Sequence, residues 1–348
     1  MSSPIISVNR LGSQWTTKDP FLFCAHHNDS YPRGNEMLGP SESLKGRPLG
    51  NDFSDNQDWR MYHGHVVPGF PVHPHRGFET ITMVLSGFID HSDSAGGAGR
   101  YGNGDVQWMT AGTGLQHSEM FPLLNKEEPN PLELFQIWLN LPASKKMVKP
   151  YFKMLWKENL PKSSISDKNG KYTEVIVVTG ESDGILSPAP SADSWAADPA
   201  NEVAIIRYKM EPNAEYTIQA TKKDVNRTLY FFRGKEISIF GEVIESYKYI
   251  EVKPEADIEI INGDTESEIL LLQGKPINEP VVQYGPFVMN TQKEIQQTVA
   301  DYRITEFGGW PWSDDEHVHP ITEPRFAKYS DGTIEYPEEH KGVKVKEE

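Results

Sequence analysis

Apolar residues in this chain recur in short bursts separated by turn residues, not in long helical stripes. Residues 80–85, 88–91, 105–110 and 133–141 read as strands, rich in β-branched and aromatic side chains and bounded by Gly, Pro, Asn or Asp. An edge strand over residues 21–25 precedes them, followed by a long loop over 28–57. A second series occupies 173–179, 202–210, 214–220, 227–233, 236–240, 247–252, 258–261 and 269–272. Strands recurring at that pace, with turn signals between them, predict β-sandwiches or barrels. One segment reads as helix: Thr291 and Glu294 form a capping box ahead of Ile295, Val299 and Tyr302, which predicts a helix over 291–303. The glycine-rich stretch 94–104 reads as a hairpin turn, residues 151–160 as a packed connector and 186–199 as a surface loop. From Phe307 the chain has turn chemistry and little periodicity, which predicts a solvated tail.

Composition narrows the class. A chain of 348 residues can carry two cores, and 28 glycines with 26 prolines favour turns between short strands. The net charge of −16 excludes the basic face that non-specific nucleic-acid binding requires. No apolar run reaches membrane-spanning length, and the N-terminus MSSPIISVNR lacks the charged-then-apolar pattern of a signal peptide. The single cysteine, Cys24, provides neither a disulfide framework nor a thiolate metal site. These features predict a soluble monomer of the cytoplasm, or of the nucleus in a eukaryotic cell.

The chemistry concentrates in PVHPHRGFET and GDVQWMTAGTGLQHSEMF. His73 and His75 are separated by one residue, so on an extended strand both imidazoles face the same way. His117 and Glu119 repeat that spacing, and two such pairs on neighbouring strands would converge as three nitrogens and a carboxylate around one cation. The pairs His63/His65 and His317/His319 share the spacing without such surroundings. They read as a polar edge strand and part of the tail. His26 and His27 are adjacent, hence on opposite strand faces, and His91 falls near the site without ligating. Phe78, Met83, Trp108 and Phe121 are candidates for a pocket wall, and Arg76 with Glu79 for a structural pair. None of the eleven histidines lies between 118 and 316, so the second strand series cannot build a second such site.

These residues resemble the two cupin motifs, with departures. Gly104 opens the second motif, Thr110 stands in place of its proline, Gly112 keeps the turn, and His117 comes two residues late. In the first motif Thr80 occupies the carboxylate position and Glu79 is one position out of phase, which leaves Glu119 as the fourth ligand. HPHRGFET, GDVQWMTAG, HSE and EPVVQYGPFVMNT together are similar to the pirin family over residues 60–307. The resemblance implies an all-β fold of two cupin-type jelly-roll domains with a short C-terminal helix. It places a metal-binding domain at 1–145, a metal-free domain at 146–290, and a helix and tail at 291–348, with the helix packing back on the first domain.

It also implies one divalent transition metal per chain, Fe(II) first among candidates, on His73, His75, His117 and Glu119. The activity implied is that of a quercetin 2,3-dioxygenase, opening a flavonol-like enol with O2 and using Glu119 as the catalytic base. A non-enzymatic alternative is an iron-binding, redox-sensitive regulator that contacts transcription factors through protein surfaces.

Overall fold

The computed structural model describes residues 3–55 and 57–337. The chain opens with β1 (Ile5–Arg10) and β2 (Phe21–Tyr31), the latter running through the start of the loop expected from residue 28. There follow β3 (Gly69–His75), β4 (Phe78–Ser86), β5 (Phe88–Asp93), β6 (Ala98–Gly102), β7 (Val106–Thr110), β8 (Leu115–Met120), β9 (Asn130–Asn140) and β10 (Tyr151–Leu155). Two of these correct the sequence reading. The glycine-rich stretch holds a strand, β6, and the expected connector holds β10, which pairs antiparallel with β7.

The chain separates into two compact units. One comprises Met1–Ala25, Ile137–Pro142 and Asn159–Asn278; the other comprises His26–Gln136, Ala143–Glu158 and Glu279–Glu348. These limits differ from 1–145, 146–290 and 291–348. The first strand is the physical reason: β1 pairs antiparallel with Lys248–Val252 and so belongs with the later strands.

In the unit that carries the histidine motif, β3, β8, β5 and β6 are neighbours in one sheet, and β10, β7, β4, β9 and β2 in another. Their apolar faces enclose a core that includes Tyr31, Val84, Ile89, Tyr101, Met109, Leu115, Phe121 and Leu134. In the other unit a seven-stranded sheet faces a four-stranded one over Val177, Ile206, Leu229, Phe231, Ile239, Ile258 and Leu271. Strand alternation alone fills that core, since Ile206 lies opposite Leu271 and Leu229 lies opposite Leu271 on its other side.

The helix α1 (Gln292–Thr305) begins at the expected capping box: the Thr291 hydroxyl accepts from the Glu294 amide, and the Glu294 carboxylate accepts from the Asn290 amide. Ile295, Val299 and Tyr302 pack with Phe287, Met289 and Phe307.

The segment beyond is not a solvated tail. A strand β11 (Phe326–Lys328) extends the first sheet beside β6, and Arg100 donates to the Asp90 carboxylate and to the carbonyls of His319, Pro320 and Glu323. The Asp315 carbonyl accepts from the Val72 amide, covering the free edge of β3. Weak periodicity hid this segment because it is held by backbone carbonyls and buried ion pairs. Arg325, for example, donates at 2.8 Å to Asp105, which is fully buried. Arg325→Ala would leave that carboxylate only the Gly102 and Lys157 amides, with no charge to balance it. Removing one partner of a buried pair costs about 3 kcal/mol, read as a lower urea midpoint at unchanged slope. A midpoint shift near zero would mean that the segment contributes nothing to stability.

Candidate metal centre

β3 and β8 run antiparallel with His73 directly opposite His117. β8 is flanked on its other edge by β5, where Asp93 lies opposite His117 and His91 opposite Glu119. Period-two alternation therefore gathers His73, His75, His117 and Glu119 on one face. The ring centroids of His73, His75 and His117 stand 4.5–4.9 Å apart, and one nitrogen from each lies within 4.8 Å of the others. Among the described residues this is the grouping able to hold a metal ion.

Burial sets the protonation of the three rings. Desolvation lowers His73 to about 4 and holds His75 and His117 well below the usual imidazole range. An imidazole ligates a metal only in its neutral form, so these rings are ready to ligate at physiological pH. His73 uses Nδ1 on the Pro71 carbonyl at 2.8 Å, which leaves Nε2 for the ion. Both nitrogens of His117 are buried without a hydrogen-bond partner, a costly arrangement in a protein interior unless an ion takes one of them.

Glu119 lies beside this triangle. Its carboxylate is 3.7 Å from His117 Nε2 and is held by the Thr82 hydroxyl at 3.1 Å and the Gln136 amide at 3.2 Å. Burial raises its pKa to about 7. A bound cation would act in the opposite direction.

The other candidates fall elsewhere. Glu79 is on β4, where the Thr110 hydroxyl donates to it at 2.7 Å. The expected Arg76–Glu79 pair is not formed, because Arg76 instead binds Asp301 at 2.7 Å and the Thr113 carbonyl. His26 pairs with Glu133, and His27 with the Tyr62 hydroxyl. His63 and His65 lie in a turn, not on an edge strand, bonded to the Gly50 carbonyl and to Glu316. His317 is half-buried, and His319 is buried against the His91 carbonyl. Of the expected wall, Phe78 meets the His75 ring edge-on at 5.1 Å, while Met83, Trp108 and Phe121 are buried core residues.

Sequence reasoning missed Phe70, Thr82 and Gln136. Phe70 reaches this face because the β3–β8 register shifts by one residue between Phe70 and His73, and its ring stands 6.4 Å from that of His73. Thr82 lay inside a strand already read correctly, but no spacing rule marks a residue whose role is to bind Glu119 from another sheet.

Two β-barrel units, one of them with three converging imidazoles, define a bicupin with a candidate metal site in its histidine-bearing half. The family model described as Pirin matches residues 7–139, and that of the pirin C-terminal cupin domain matches 205–308. Pirin-like protein 2 of Arabidopsis thaliana is 38% identical over 248 residues, spanning 69% of this chain and 71% of its own length. Human pirin is 37% identical over 248 residues, spanning 69% and 78%. A Pseudomonas aeruginosa protein provisionally named a quercetin 2,3-dioxygenase is 33% identical over 241 residues, spanning 68% and 79%. The chain belongs to the pirin family. A crystal structure of quercetin 2,3-dioxygenase from Acinetobacter baumannii covers 89% of this chain and 99% of its own, with TM-score 0.67 at 23% identity, which shows the shared fold. The segment beyond residue 308 lies outside both family matches.

The depressed histidine pKa values set a pH dependence for metal-free protein. Below the ordinary value of 6.5 the unfolded chain takes up protons that the folded imidazoles refuse, so stability falls as pH drops toward about 4. Glu119 acts in the reverse sense between 4.5 and about 7, where the folded state holds a proton that the unfolded state has lost. Three imidazoles outweigh one carboxyl. The thermal midpoint of chelator-stripped protein should therefore decline on acidification from pH 6.5 to 5, less steeply in His73→Gln. A flat profile would contradict the burial argument.

Proposed function

We propose that this chain is a metal-dependent dioxygenase that opens the ring of a flavonol-like enol. The observation that carries the reading is the convergence of three neutral imidazoles, two buried and one half-buried, beside one buried carboxylate, with no thiolate in the set. His73, His75 and His117 would hold the ion, with Glu119 as a fourth ligand. Structural zinc sites close at four ligands and are usually cysteine-rich, whereas imidazole with carboxylate is the donor set of redox-active oxygenase iron. Fe(II), when bound, would supply the one-electron chemistry that lets ground-state dioxygen react with a closed-shell enol.

The residues around it have separate tasks. Glu119, with a pKa raised by burial and two side-chain hydrogen bonds holding its orientation, is placed to accept the enol proton. The single Thr82 hydroxyl proton is shared between Glu119 and Gln136 Oε1, which lies 2.6 Å from it, so Thr82, Gln136 and the carboxylate form one hydrogen-bonded cluster. Phe70 and Phe78 present ring edges to His73 and His75 and limit water around them. The provisional name of the Pseudomonas relative agrees with the substrate class. No helix of the described residues is long and apolar enough to cross a membrane.

Protein purified without chelators should carry close to one transition ion per chain, iron foremost. Oxygen uptake on a flavonol panel should be abolished by chelation. Uptake absent in fully iron-loaded protein would reject the enzyme and favour a redox-sensitive regulator acting through protein contacts.

Glu119→Gln keeps the shape and removes the anion. It should lower turnover by about 100-fold or more, the usual contribution of a general base, and weaken metal retention to a smaller extent. Glu79→Gln should keep its metal and most of its activity. If Glu79→Gln released the ion while Glu119→Gln held it, the fourth ligand would have to be reassigned.

A further inference from the structure

The histidine-free unit contains a cavity of about 720 Å³, in the size range of small-ligand sites. Part of its wall is the 186–199 segment, expected as a plain surface loop but folded into short 3-10 turns at Trp195–Ala197 and Pro199–Asn201. The floor is sheet. Ala204, Gln273 and Arg227 lie side by side across three neighbouring strands, and Ile206 and Leu271 form the next row inward. All five line the cavity, together with Ile218.

Arg227 is the anomaly in that row. Four arginines of the described residues are buried: Arg76, Arg100, Arg227 and Arg325. Arg76, Arg100 and Arg325 each have a carboxylate at 2.7–2.8 Å. Arg227, only 5% exposed, has none within ion-pair distance. It donates to two backbone carbonyls, Gln219 and Ala256, and its Nε has no hydrogen-bond partner. Gln273 Oε1 beside it is also buried without a partner. Glu202 and Asp257 act on this charge from beyond ion-pair distance, so the guanidinium faces the cavity with no carboxylate in contact, and an anion seated on it would offset the cost of its burial.

We infer that this cavity binds a small monocarboxylate with an apolar body, its carboxylate on Arg227 and its body against Ile206, Ile218 and Leu271. A single guanidinium with an open Nε edge suits a planar monoanion. Glu181, Asp183 and Glu202 also line the cavity, Glu202 already paired with Lys222 at 2.6 Å, so each negative charge on a ligand is penalised and a monoanion is favoured over a dianion such as phosphate. The site is independent of the metal centre, since every lining residue belongs to the histidine-free unit.

The test uses the full-length metal-loaded protein with benzoate as probe, followed by ligand-observed NMR and calorimetry. Benzoate should bind saturably at one site per chain, while benzyl alcohol and inorganic phosphate do not. Arg227→Met removes the charge at similar volume. It should weaken benzoate at least ten-fold, leave metal content unchanged, and raise the thermal midpoint of ligand-free protein. If that variant does not fold, Ile218→Trp, which fills the apolar part of the cavity, should lower benzoate affinity several-fold with metal content intact. Absence of saturable benzoate binding, binding unaffected by these substitutions, or binding lost in His117→Gln and kept in Arg227→Met would each overturn the assignment.

Discussion

The antiparallel pairing of β3 with β8 is the constraint on which the rest of the metal-site unit depends. It sets His73 opposite His117, and strand alternation then fixes His75 and Glu119 on the same face. A slip of one residue along the whole strand would turn the β3 histidines to the other side. The one-residue shift between Phe70 and His73 is local, and its effect is to bring Phe70 onto the ligand face without moving the histidines off it. Burial then completes the site chemically, because a desolvated imidazole stays neutral where an exposed one would titrate near neutral pH.

The same alternation assigns work to the residues between the ligands. Arg76 follows His75 and grips Asp301, with its guanidinium 4.5 Å from the Phe307 ring centre. Gln116 precedes His117 and receives the Tyr302 hydroxyl at 2.7 Å while donating to the Glu306 carbonyl. Gly114, at φ +130°, leaves room for Phe307, whose ring would lie 2.6 Å from a Cβ at that position. One face of β3 and β8 thus carries the candidate ligands and the other holds α1 and the turn after it.

How much of this was legible follows from how each feature is encoded. The strands of the histidine cluster and the capping box are written in spacings of two and three residues, so the convergence of His73, His75 and His117, and the cap at Thr291 and Glu294, could be found by counting. The strands of the histidine-free unit were legible for the same reason. Partners brought from distant strands were not. Thr82 and Gln136 hold Glu119 through tertiary contacts, and Asp301 displaces Glu79 as the partner of Arg76 because α1 lies closer to the guanidinium than sequence proximity suggests. The segment from Trp310 onward showed no periodicity because its order comes from backbone carbonyls. These meet Arg100 and the Val72 amide, while Trp312 in turn donates its indole N–H to the Asp93 carbonyl. The cavity at Arg227 required the fold, since a lone arginine on a strand carries no signal of its missing counter-ion.

The central claim is a single redox-metal site on β3 and β8. It is tested most directly by anomalous diffraction at the iron edge from crystals of metal-loaded protein. The account predicts one strong peak, bonded by nitrogens of His73, His75 and His117, with the Glu119 carboxylate turned toward it from its place beside Thr82. No peak at that triangle, or a dominant peak at His317 and His319, would contradict it.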